Sequence, residues 1–255
     1  MGALHAGHGR LVEAAAARAQ GREAGVVVSV FVNPTQFNDA KDLERYPRTL
    51  ETDIELCARM GAAAVFAPSV EAVYPPGGGA VSPPLPAVAT RPGLEDAHRP
   101  GHFAGVCQVV KRLFELVRPS AAVFGEKDWQ QLQVIRAMSR QERLGVEVVP
   151  VPTVREADGL AMSSRNVFLT KEDRARAKSL NAALRKACEE RSASTAESRM
   201  RGILHEAGMR VEYAVVRDSE TLMPLETGQA SGRALIAARV GEVRLIDNSP
   251  WGYGT

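Results

Sequence analysis

Residues 26–32, Val-Val-Val-Ser-Val-Phe-Val, form an apolar, β-branched run interrupted only by Ser29. A strand with no polar alternate face is expected to be buried on both sides, which is the position of a strand in a parallel sheet covered by helices. Residues 63–67, 121–124 and 146–149 are shorter runs of the same kind. Between them, Phe103, Val106, Cys107, Val110, Phe114 and Val117 recur every three or four residues, one face of an amphipathic helix, and Pro119 follows where that helix should stop. Strands alternating with helices predict an α/β fold with a parallel sheet.

The pattern changes twice along the chain. Residues 68–100 are rich in proline and glycine, with PPGGG at 75–79 and SPPLP at 82–86, which predicts a long surface loop with at most short strands. Beyond Pro152, Thr170 with Asp173 and Ser194 with Glu197 have the spacing of helix-capping pairs ahead of two Ala- and Arg-rich helices. Residues 211–216, 234–240 and 243–246 then look like a small antiparallel sheet. A chain of 255 residues has room for two domains. The economical division is 1–153 for the parallel-sheet domain and 154–255 for a smaller α+β domain.

With 32 basic and 30 acidic residues the net charge is +2, so no global field favours nucleic acid or an anionic membrane. Anionic ligands must be held by local geometry. The three cysteines, Cys57, Cys107 and Cys188, show neither a paired framework nor zinc-site spacing. No apolar run approaches the ~20 residues of a membrane span. The expectation is a soluble, cytoplasmic protein with no nucleic-acid or membrane partner.

Four segments carry chemistry. Met1-Gly2-Ala3-Leu4-His5-Ala6-Gly7-His8 precedes an amphipathic helix over 10–20. Glycines admit a ligand close to the backbone, a first helical turn offers N–H groups to an anion, and two histidines three apart can reach one phosphate. By itself an HxxH is more often incidental, and a metal pair would lack a third ligand. Asn33-Pro34-Thr35-Gln36 follows the first strand; its amides suit hydroxyls or a carboxylate, or simply an Asx-type turn. Gly125-Glu126-Lys127-Asp128 lies between a strand and a helix, at the strand end where open α/β sheets bind ligands, although Asp128 would also serve as a cap. Met162-Ser163-Ser164-Arg165 offers two hydroxyls and a guanidinium to an oligophosphate, or forms a solvated loop.

Taken in order, the histidine pair, the strand-end GEKD and the MSSR loop resemble the HIGH and KMSKS elements of the nucleotidylyltransferase superfamily. The wording is similar to the pantothenate synthetase family in particular: MGALHAGH from Met1, FVNPTQF from Phe31, YPRT from Tyr46, RPGHFAGV from Arg99, GEKDWQQL from Gly125 and PTVREADGLAMSSRN from Pro152. The resemblance implies a Rossmann-like domain and an AMP-forming ligase, acting on pantoate, β-alanine and ATP with Mg2+, commonly as a homodimer.

Site residues follow by matching position. His5 and His8 would face the phosphates, with His8 the better proton donor, while Lys127 would stabilise the transferring phosphoryl group. Ser163, Ser164 and Arg165 would hold the β and γ phosphates. Met1 to His8, Gly125, Glu126, Asp128, Val154 and Met162 would line the nucleotide. Gln36 and Gln131 would bind pantoate, Gln36 also β-alanine, and Asp53 would touch magnesium. Arg99, His102 and Tyr46 would support. Three departures from the family pattern stand out: the first strand is expected to be missing, Gly9 stands where an apolar residue is usual, and Trp129 replaces a smaller aromatic. A different nucleotidylyltransferase, or a nucleotide-binding module without turnover, would share the phosphate motifs but not the pantoate glutamines.

Overall fold

A computed structural model of the chain describes residues 2–21, 25–36, 49–77 and 81–252. Met1, Phe37 and Tyr46 therefore lie outside the described residues, and of Gln36 only the backbone is described. The chain divides into two compact units, one of residues 1–126 with 130–152 and the other of residues 127–129 with 153–255.

The first unit is α/β. Helix α1 (Ala6–Ala19) leads to strand β1 (Val27–Ser29) and a 3-10 turn at Pro34–Gln36; α2 (Leu50–Arg59) and β2 (Ala64–Phe66) follow. Strands β3 (Ala121–Gly125) and β4 (Glu147–Val151) flank α6 (Trp129–Gln141). The four strands make two parallel pairs, β1 with β2 and β3 with β4. Among the described residues no strand bridges the pairs, and β3, expected to be buried on both faces, is half-buried along its length. Helix α1 packs on β3, β4 and α2. Its Val12 forms an apolar cluster with Val28 and Cys57, against which Leu4, Met60 and Val65 pack. The apolar residue absent at position 9 is replaced from outside the helix: the Met60 side chain lies where a Cβ on Gly9 would touch it at 3.4 Å.

The Pro- and Gly-rich stretch is more ordered than its composition suggests. It carries α3 (Val70–Val73), a 3-10 turn at Ala87–Ala89 and α4 (Glu95–His98), with Val88, Ala89, Leu94 and Glu95 buried. The reason is a polar anchor in α6. Buried Gln130 donates to the Val88 carbonyl (3.0 Å) and to Asp96 Oδ1 (2.9 Å), and accepts from the Glu95 N–H (2.9 Å), so the backbone groups buried at Val88 and Glu95 are satisfied inside the protein. Next to it runs α5 (His102–Val117), the helix with the apolar face read from the sequence, and it buries Phe103, Val106, Cys107, Val110 and Phe114.

The second unit is α+β. Helices α7 (Lys171–Ala177), α8 (Ser179–Ala187) and α9 (Ala193–Glu206) precede an antiparallel sheet of β5 (Arg210–Arg217), β6 (Ser231–Val240) and β7 (Val243–Gly252), in that order. Leu180, Leu184, Met200, Leu204, Ile236 and Trp251 form its core. Thr170 caps α7 by accepting the Asp173 N–H at 3.0 Å. The cap of α9 is corrected by the structure: Ser192 in extended geometry accepts the Thr195 N–H at 3.1 Å. Ser194 thus sits inside the helix, and Glu197 is drawn away to β5, where it accepts from the Val216 N–H and from Arg217, both at 2.9 Å. Strand β7 runs six residues beyond Ile246, because buried Asp247 and Asn248 find partners there.

Candidate active site

In the first unit, two histidines cap the first helix reciprocally. His5 is the extended N-cap of α1, and its Nδ1 accepts the Gly7 N–H at 3.1 Å. His8 Nδ1 accepts the His5 N–H at 3.2 Å, and the ring centroids are 4.1 Å apart. This is a capping box built from imidazoles instead of hydroxyl and carboxylate. A ring nitrogen that accepts carries no proton, so in a neutral ring the hydrogen lies on Nε2.

The loop before the helix is also fixed. Ala3 has φ +51, a strained value for a residue with a Cβ. Buried Asp53 on α2 holds the next residue through Oδ1, which accepts the Leu4 N–H (2.8 Å) and the Thr49 hydroxyl (3.1 Å). Its Oδ2 is buried with no hydrogen-bond partner among the described residues. Gly125 ends β3, and among the described residues a Cβ there would meet only Leu11, at 3.8 Å, so their packing does not require the glycine.

The Asn33 amide is turned inward, as an Asx-type turn requires. Its Oδ1 accepts from the Thr35 N–H (3.3 Å), the Thr35 hydroxyl (3.1 Å) and the Tyr74 hydroxyl (2.8 Å), while Nδ2 donates to the Gly105 carbonyl (3.3 Å). Burial pushes the Tyr74 phenol up, against the lowering effect of its bonds to Thr35 and Asn33, so it stays protonated and donates. Asn33 therefore builds the turn that Gln36 closes. Gln131, on the first turn of α6, is half-buried. Arg99 Nη1 lies 3.1 Å from His102 Nε2 and 3.9 Å from Glu95.

In the second unit, residues 154–162 form a tight hairpin: Met162 N–H bonds the Val154 carbonyl at 2.9 Å, Arg155 bridges Ala161, and Gly159 turns the chain at φ +89. Asn166 locks the following 3-10 helix (Ser164–Phe168) to it, donating to Glu156 (2.7 Å) and to the Ala161 carbonyl (3.0 Å). Ser163 caps that helix by accepting the Arg165 N–H at 3.2 Å, which leaves its own O–H as a donor. Met162, Ser163 and Ser164 are half-buried, and Arg165 is exposed. Arg174 bonds Glu156 at 2.5 Å and Asp158 at 3.0 Å; the Arg174 hydrogen bond, opposed by desolvation, holds the Glu156 carboxyl below its usual value. Glu126, Lys127 and Asp128 make one 3-10 turn, with Lys127 Nζ 3.7 Å from Asp128.

Asn166 ends the MSSRN block with no role legible for it, and Asp53 as an anchor, Arg174, Asp247 and Asn248 were not legible. The only signal for the last two was a polar pair directly after an apolar strand.

The family model described as pantoate-beta-alanine ligase matches residues 1–250. The chain belongs to the pantoate–β-alanine ligase family. The pantothenate synthetases of Nocardioides sp. and Rubrobacter xylanophilus are each 51% identical to it, covering 100% and 98% of this chain and 78% and 88% of their own lengths. The crystal structure of pantothenate synthetase from Thermus thermophilus superposes with a TM-score of 0.88 at 47% identity, over 98% of this chain and 90% of that one. A Francisella tularensis pantoate–β-alanine ligase, solved with β-γ ATP and β-alanine, has a TM-score of 0.75 at 32% identity, over 98% and 86% of the two chains. The α/β fold with its separate antiparallel sheet is thus the fold of this ligase family.

Proposed function

We propose that the chain condenses pantoate with β-alanine using ATP, through a pantoyl adenylate, and releases AMP and pyrophosphate. A pantoate carboxylate oxygen attacks the α-phosphorus as pyrophosphate leaves. The β-alanine amine then attacks the acyl carbon, AMP departs, and the amine gives up a proton. The observation that carries this reading is the reciprocal His5–His8 cap, within a chain whose relatives are named pantothenate synthetases.

Two anions meet in the first step, so donors aimed at the phosphates before reaction are what the site must supply. His5 and His8 offer fixed Nε2–H donors, and a single such donor contributes about 3 kcal/mol to a barrier of this kind. Lys127 neutralises charge on the transferring group, while Ser163, Ser164 and Arg165 take the β and γ phosphates. Residues 1–8, Gly125, Glu126, Asp128, Val154 and Met162 border the nucleotide. Gln36 and Gln131 bind pantoate, and Gln36 also contacts β-alanine.

Magnesium enters with ATP. Among the described residues no three His, Cys, Asp or Glu side chains cluster around a cation position, which suits an ion ligated chiefly by phosphates and water. Asp53 is the side chain we assign to it, through the Oδ2 that has no hydrogen-bond partner among the described residues; the ion would supply charge neutralisation. We further propose a cytoplasmic homodimer with no nucleic-acid or membrane partner. The net charge of +2 argues against a nucleic-acid partner, and among the described residues no helix is long and apolar enough to cross a membrane; the homodimer rests on the resemblance to the family.

The test is pyrophosphate–ATP exchange with magnesium and pantoate but without β-alanine. Exchange that depends on pantoate is expected. Exchange that is absent with pantoate, or equal without it, refutes the reading.

A further inference from the structure

Lys127 sits on a single 3-10 turn, and a lysine on so short an element needs its backbone held if its ammonium group is to act at a fixed point. The holding group is on β7. Asn248, 3% exposed, donates from Nδ2 to the Lys127 carbonyl at 2.8 Å. Its Oδ1 accepts from buried Arg233 Nε on β6 at 2.7 Å. The Arg233 guanidinium in turn lies 3.6 Å over the Trp129 ring, and Trp129 Nε1 donates to the Ser219 carbonyl at 2.9 Å. Residues 127–129 are thereby fastened to the antiparallel sheet at two points, Asn248 and Arg233, and to the segment after β5 at a third, Ser219, which explains why they group with the second unit.

The neighbouring residue holds the phosphate hairpin. Asp247, 2% exposed, receives Arg155 through two parallel bonds of 2.7 and 3.0 Å. The same guanidinium reaches the Asn248 carbonyl (3.4 Å) and the Gly159 carbonyl (3.1 Å). Bidentate Arg–carboxylate pairs fix orientation as well as distance, and a strand paired along its length with β6 is a more rigid mount than a loop.

We propose that Asp247 and Asn248 are positioning residues for adenylation, a dipeptide clamp on β7 that fixes the Lys127 backbone with one side chain and the 154–162 hairpin with the other. The clamp rests on the ligase reading for the role of Lys127, but its geometry is testable separately. Asn248→Asp keeps the acceptor for Arg233, keeps the size, and replaces the donor to the Lys127 carbonyl with an oxygen. Trp129→Phe keeps a ring beneath Arg233 and removes only the bond to Ser219.

Both variants and the parent are compared by pantoate-dependent pyrophosphate–ATP exchange and by amide hydrogen exchange. For Asn248→Asp the expected result is a kcat lowered about 10- to 100-fold with KM for ATP and pantoate changed less than about 3-fold, the pattern of a misplaced catalytic group. Amide exchange should quicken in residues 125–131 while β5–β7 stay protected. Trp129→Phe should show the same pattern more weakly, and it carries the test if Asn248→Asp does not fold. Unchanged kcat, a change confined to KM, or unaltered amide exchange in residues 125–131 overturns the clamp. A parent without exchange activity overturns the ligase reading, and the amide exchange then decides the clamp alone.

Discussion

Replacing Gly105 by alanine should damage the fold and the proposed pantoate site together, against the sign that helix propensity predicts. Gly105 lies inside α5, where glycine costs about 1 kcal/mol relative to alanine, so an unobstructed substitution would stabilise. Here a Cβ would fall 2.6 Å from the Thr35 carbonyl oxygen, 2.9 Å from its hydroxyl and 3.0 Å from its carbonyl carbon. The first distance is roughly 0.7 Å short of ordinary contact, and the obstacle is backbone, so the helix or the Pro34–Gln36 turn must move. Overpacking of this kind costs about 1–3 kcal/mol. The Asn33–Gly105 bond, already 3.3 Å long, would be lost with it for about 1 kcal/mol more. After subtracting the propensity gain, net destabilisation should be about 1–3 kcal/mol. Gln36 follows Thr35 directly, so the same shift should lower kcat/KM for pantoate roughly 10- to 100-fold while leaving KM for ATP nearly unchanged. Urea denaturation and initial rates of pantoate-dependent exchange measure the two effects. A variant as stable as the parent, or more so, with unaltered pantoate kinetics would refute the packing argument.

The histidine cap predicts unequal roles for its members. His5→Ala removes the N-cap acceptor and should cost about 1 kcal/mol of stability; His8→Ala should slow adenylation by about 100-fold or more through loss of an oriented donor. Equal adenylation rates in parent and His8→Ala would remove that role. Asp218 supplies the pH test. Desolvation raises its pKa, but bonds from the Thr221 N–H and hydroxyl, Gln229 and the Glu220 N–H outweigh this and set it at about 2, below the ~3.9 of an unfolded chain. A depressed carboxylate adds stability above its unfolded pKa and loses it as pH falls through the folded one. Asp218→Asn should therefore be less stable than the parent at neutral pH, with the difference shrinking from about pH 4 and gone below about pH 2; a pH-independent difference in denaturation midpoints would refute the assignment.

The α/β class, the four parallel strands, the amphipathic helix at α5 and the family itself were legible in the sequence, because each rests on local periodicity or on contiguous motifs. Side-chain destinations set by distant chain were not legible. Composition made 68–100 a surface loop, and most of its described residues are exposed, yet Gln130 from another element bonds the Val88 carbonyl and the Glu95 N–H and lets the residues around them bury. Gly9 read as a lost core contact, yet Met60 fills the space. Asn33 read equally well as ligand or turn former, and Tyr74 and Gly105 draw it into the turn.

By itself, then, the sequence determined most of the strands and helices and the motifs that mark the family, since both depend on residues near one another in the chain. Only the tertiary structure decided what holds those motifs in place. Asp53 is 49 residues from Leu4, Asp247 is 92 from Arg155, and Asn248 is 121 from Lys127. Buried polar groups must find partners wherever folding brings them, and separations of that length leave no period or spacing to read.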